Sequence, residues 1–139
     1  MSLQIARPQS VTWLTVFVLI NTGWQWFRFV SVLQDWTLLN EMPLSVSPIY
    51  LAFSSLIWGG LASALSWGLI TGSRWALSAL RAISLAYVLT LWIDRFLLQA
   101  SAPNNNLAFF VLITLMALAA LFWVASKNET RVFFGEHHE

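Results

Sequence analysis

Within long apolar stretches the chain carries only a few side chains able to do chemistry, and their spacing sorts them into groups. Asn21, Gln25, Arg28 and Asp35 follow one another at intervals of four, three and seven, which places all four on one face of a helix. Such a face is either a polar track for an ion or substrate or a stripe that hydrogen-bonds neighbouring helices. The second is expected, because Asn and Gln readily join helices in an apolar medium. Arg81, Asp94 and Arg95 form another group, with Tyr87, Thr90 and Asp94 on one helical face and Arg81, Ser84 and Arg95 on another. Ser55, Gly59 and Ser63 recur every fourth residue, flanked by Ala52, Gly60 and Ser66. Residues this small let helices approach closely and read as a packing face.

Several chemistries are excluded. The chain has no cysteine, so disulfides, thiol catalysis, iron–sulfur clusters and thiolate metal sites are ruled out. Both histidines, His137 and His138, lie at the chain end beside Glu136 and Glu139. Four potential ligands in a row there lack a preorganised cage, so a solvated tail is expected and no metal. With no histidine in an apolar stretch, histidine ligation of haem there is excluded. Neither a phosphate-binding glycine loop nor a nucleophile–base pair occurs. No cofactor is expected, and an enzyme would have to work with Arg, Asp, Tyr and water alone. A net charge of +1 without a basic patch excludes nucleic acid as a partner.

The elements that must position these residues follow from apolar length. Of 139 residues, 58% are hydrophobic and 9% charged, against about a quarter charged in soluble domains. Apolar segments run over residues 11–33, 48–70, 75–98 and 107–125, each near the ~20 residues a helix needs to cross a bilayer. The expected fold class is an all-α integral membrane protein, a single domain built as a four-transmembrane-helix bundle with antiparallel neighbours. Residues 126–139 form its tail. Ser47 before Pro48 marks a helix start. Gly72 ends one helix and Ser73 is placed to cap the next, so residues 71–74 make a tight hairpin. Asn104, Asn105 and Asn106 offer a turn and a cap for the last helix. The first segment reads as a span and not a signal peptide, being too long and lacking a small-residue cleavage site.

Orientation follows from Arg7, Arg74, Lys127 and Arg131, which lie on one side, whereas the loop over residues 34–47 carries only Asp35 and Glu41. The positive-inside rule then puts both ends in the cytoplasm, in an N-in/C-in arrangement suited to a cell (inner) membrane. Trp13, Trp67, Trp75 and Trp123 fall at the inner interface, and Trp26, Trp36, Trp92 and Tyr50 near the outer one, as two aromatic belts. Trp58 falls mid-span and is expected to pack between helices. The Asn128-Glu129-Thr130 glycosylation pattern lands on the cytoplasmic side and reads as a chance match.

Depth then proposes partners. Arg28 lies 17 residues after Val11 and Asp94 lies 19 after Trp75, so two outward-running helices bring them level. An Arg28–Asp94 ion pair is expected to neutralise both charges. Asp35 or Glu41 would pair with Arg95 in the same way, and Arg81 would snorkel to headgroups. The fourth span, interrupted only by Thr114, would face lipid or an apolar partner.

Four spans in so short a chain resemble the small multidrug-resistance transporters, whose first helix carries a membrane glutamate. This chain has Asn21 at mid-span and a clear charge bias. The expected function is a non-catalytic accessory or scaffolding subunit of a membrane complex, whose partners are lipid and other membrane subunits or a second copy. The alternative is a small transporter or channel using Asn21, Gln25, Arg28 and Asp94.

Overall fold

Proline opens the first two long helices, where its missing N–H removes no intrahelical bond. In the structure, a computed structural model that describes residues 7–42, 46–98 and 106–135, Pro8 immediately precedes α1 (Gln9–Gln34) and Pro48 begins α3 (Pro48–Thr71). Between them lies the short α2 (Trp36–Glu41), in a stretch expected to be loop. The chain continues through α4 (Trp75–Ile93), α5 (Leu107–Ser126) and α6 (Asn128–Phe133). The described residues are all helix and connection, without strands. Four of the helices are long and apolar enough to cross a membrane.

Cross-helix contacts fix their directions. Thr22 meets Ser66, and Trp26 meets Ser63, so α1 and α3 run antiparallel. Tyr50 meets Asp94 and Trp58 meets Tyr87, so α4 is antiparallel to α3 and hence parallel to α1, which it meets at Gln25 and Tyr87. Trp92 packs on Phe110, and Arg81 reaches Ala125, which sets α5 antiparallel to α4. One end of the bundle therefore gathers the start of α1, the 71–74 turn and α6; the opposite end gathers α2, Tyr50 and Asp94.

Gly72 closes α3 in the left-handed region (φ 67°, ψ 31°), and the Ser73 amide donates to the Gly68 carbonyl at 2.9 Å. This pattern satisfies the last carbonyls of a helix and suits a residue without a Cβ. Gly68 is equally constrained, since a Cβ there would lie 2.8 Å from the Trp75 ring. Side-chain capping is absent at the starts of α3, α4 and α5: Ser47, Arg74 and Asn106 occupy the N-cap positions without a capping bond, Arg74 standing where Ser73 was expected. Ser73 instead shares a hydrogen bond with the Thr71 hydroxyl.

The core sits toward the end that holds the 71–74 turn, where Val11, Leu69, Ala76, Leu77, Ala125 and Phe134 are fully enclosed. Phe134 and Thr130 belong to the expected tail. They are buried because α6 folds back onto the bundle, with Thr130 and Ser10 hydroxyls 3.1 Å apart. Only residues 136–139 of that tail, including both histidines, lie outside the described residues. Elsewhere the outer surface is apolar. Along α1, Trp13, Phe17, Ile20, Trp24 and Phe27 are all more than half exposed, and α5 buries only Thr114 and Ala125. Water would not tolerate such a surface on a monomer.

Candidate functional site

The polar side chains of the spans gather on the inner faces of α1, α3 and α4. Toward the Asp94 end, the Tyr50 hydroxyl donates to the Asp94 carboxylate. Tyr50 is the third residue of α3 and Asp94 follows α4, so the antiparallel packing brings them together. The expected Arg28–Asp94 ion pair does not form: Tyr50 holds the carboxylate, and the half-buried Arg28 acts on this pair only through its field. At Asp94 the helix widens into a π-helical turn, Asp94–Leu98, a local irregularity that is common at functional positions.

Arg95 likewise lacks the expected partner in Asp35 or Glu41. Its guanidinium stacks 4.9 Å from the centre of the Phe110 ring, and its Nε is buried without a hydrogen bond among the described residues. Arg81 donates to the Ala125 carbonyl at 3.2 Å, at the end of α5, where carbonyls lack intrahelical partners and the helix dipole favours a cation.

One layer deeper, Gln25 is 1% exposed. Its Nε2 donates to the Tyr87 hydroxyl at 3.0 Å, while its Oε1 has no partner among the described residues. Trp58 packs edge to face on Tyr87, with centroids 5.0 Å apart, and so bridges α3 and α4. The small face of α3 receives α1. Gly59 lies under the Trp26 ring, and Ser63 accepts from Trp26 Nε1 at 3.0 Å. Trp26 is thus turned onto α3. Ser55 is buried and donates to its own helix at the Leu51 carbonyl.

Between α1, α3, α4 and α5 lies a cavity of about 250 Å³. Its wall is apolar apart from Asn21, Ser84, Tyr87, Thr114 and the Trp58 indole, and includes neither Arg28 nor Asp94. Thr114 donates to the Phe110 carbonyl of its own helix. The charged groups at the Asp94 end therefore do not line this space. The described residues hold no cluster of three His, Asp or Glu side chains suited to a metal.

Sequence reasoning grouped Asn21, Gln25 and Arg28 on one face of the first long helix and set Asp94 and Arg95 on two faces of the third, but missed Tyr50 as the partner of Asp94. Counting residues from Pro48 could have found it, since Tyr50 occupies the end of α3 that an antiparallel neighbour shares with Asp94. No family model, curated protein or solved structure matches this chain. What the fold itself defines is a class: an all-helical bundle with four helices of membrane-spanning length and apolarity.

Proposed function

We propose that this protein is a multi-pass membrane protein, N-in/C-in in the cell (inner) membrane, that serves as a non-catalytic accessory or scaffolding subunit of a membrane complex. The observation that carries this reading is the direction in which its groups point. Polar side chains of the spans are spent between its own helices, as in the Gln25–Tyr87, Trp26–Ser63 and Tyr50–Asp94 bonds. Large apolar side chains face outward along α1 and α5. Inward polarity holds the bundle together, and outward apolar faces are what a membrane subunit offers to lipid and to neighbouring subunits. A transporter or channel is the second reading, favoured by Asn21 on the cavity wall and the Tyr50–Asp94 pair at the bundle end. It would require the cavity to open onto Asp94.

The test is gentle solubilisation of native membranes followed by identification of what co-purifies. A stable larger complex supports the subunit role. Recovery as a small homo-oligomer alone overturns it.

A further inference from the structure

A groove runs between α1 and α5 from the inner cavity to the end of the bundle that carries α6. It encloses about 530 Å³, and Phe17, Ala117 and Leu121 line both it and the cavity, so the two spaces adjoin. Along the groove the chemistry changes. Toward the cavity its walls are Phe17, Leu121, Ala117 and Ala120; toward α6 they are Lys127, Gln9, Ser10 and Glu129. The mouth itself pairs one ammonium with one carboxylate, but it opens on the basic end of the bundle, and an apolar channel opening there matches a molecule with a hydrocarbon chain and an anionic head.

Charge at that end favours an anion. Arg7, Arg74, Arg81, Lys127 and Arg131 all belong to it, and among the described residues Glu129 is its single carboxylate. Arg81 is already bonded to the Ala125 carbonyl, and Arg7 to the Thr15 hydroxyl. Lys127 rests its ammonium on the Trp123 ring at 4.4 Å, an aromatic contact that leaves its N–H donors available. The inner space also suits a chain: apolar cavities of about 150 Å³ already stay dry and take up hydrocarbon, and this one is larger.

We propose that the groove binds one anionic glycerophospholipid from the surrounding bilayer, its phosphate at Lys127 and an acyl chain running past Ala120 and Ala117 into the cavity. Basic pockets between membrane helices commonly hold such headgroups. The proposal rests on the membrane reading given above, and it adds a specific lipid to the general one.

The experiment is native mass spectrometry of the delipidated full chain in detergent after addition of phosphatidylglycerol or phosphatidylcholine. The wild type is expected to retain one phosphatidylglycerol and to hold phosphatidylcholine about fivefold less well, the scale of one basic residue at an anionic headgroup. Lys127→Gln should erase that preference. Ala120→Trp should block both lipids while circular dichroism stays that of the wild type; should that variant fail to fold, Lys127→Gln still decides. Equal retention of the two lipids by the wild type, or phosphatidylglycerol binding untouched by Lys127→Gln, overturns the proposal. Alkaline washing of the source membranes separates the two levels. A protein that washes off defeats the membrane reading as well, whereas one that stays but shows no lipid preference defeats the groove alone.

Discussion

Phe134 lies beyond the last long helix, yet it is 1% exposed and packs in the core with Val11, Leu69 and Leu77. Cutting it to alanine tests whether α6 is part of the fold. In a water-soluble core Phe→Ala costs about 3–5 kcal/mol, the sum of a transfer term and a cavity term of about 24 cal/mol per Å³. An undocked α6 would settle at the membrane boundary and not in bulk water, so the transfer term shrinks. The cavity term stays: removing on the order of 100 Å³ of side chain leaves about 2 kcal/mol. Phe134→Ala is therefore expected to cost about 2–3 kcal/mol, a shift of about thirtyfold or more in the docking or folding equilibrium. Sodium dodecyl sulfate titration of the protein in mild detergent, followed by circular dichroism, reads the global change. Trypsin cleavage after Arg131 reads local release of α6. Leu115→Ala, at a side chain 60% exposed, should change stability by less than about 0.5 kcal/mol. A Phe134→Ala protein that unfolds and is cleaved like the wild type refutes the docking of α6.

Other substitutions separate close packing from open surface. Gly68→Ala places a Cβ 2.8 Å from the Trp75 ring and 3.2 Å from the Ala76 Cβ, and should cost about 1–3 kcal/mol of stability in the same titration. Gly60→Ala, with nothing within 4 Å of its Cβ, should be neutral or stabilising by up to about 1 kcal/mol through helix propensity; equal losses at both glycines would contradict the helix contacts. Gln25→Leu gives up one bond to Tyr87, worth about 0.6 kcal/mol between membrane helices, and removes a buried oxygen without a partner among the described residues. Its melting temperature should stay close to that of the wild type, and a large drop would mean that Gln25 has an unseen partner. Tyr50→Phe removes the donor to the Asp94 carboxylate and should cost about 1.5–3 kcal/mol; an unchanged unfolding midpoint would count against that bond.

The four long helices were legible because apolar length and a few breakers determine them. The spans expected at residues 48–70 and 107–125 correspond to helices Pro48–Thr71 and Leu107–Ser126, and Gly72 closes its helix as the spacing implies. Pairing was less legible. Depth brought Arg28 level with Asp94, but which side chain meets the carboxylate depends on rotation about each axis, and Tyr50 won that position. A search for opposite charges also could not see Arg81 reaching a backbone carbonyl or Arg95 over an aromatic ring. The burial of Thr130 and Phe134 was hidden because a six-residue helix with mixed polarity carries no span signal. The cavity was hidden because empty volume is a property of packing and has no residue pattern of its own.

The most direct test of the central claim, that lipid covers the outer face of this bundle, uses the absence of native cysteine. Single cysteines are placed at Ile20 and Met116, which are 68% and 63% exposed on the isolated bundle, at Ser73 in the turn after α3, and at Ser45, which the sequence places between the first two spans. Intact cells are then treated with a membrane-impermeant maleimide. Expected is labelling at position 45 from outside, labelling at position 73 only after permeabilisation, and none at positions 20 and 116 until the protein is denatured in detergent. Prompt labelling at positions 20 and 116 in the native protein would contradict the claim.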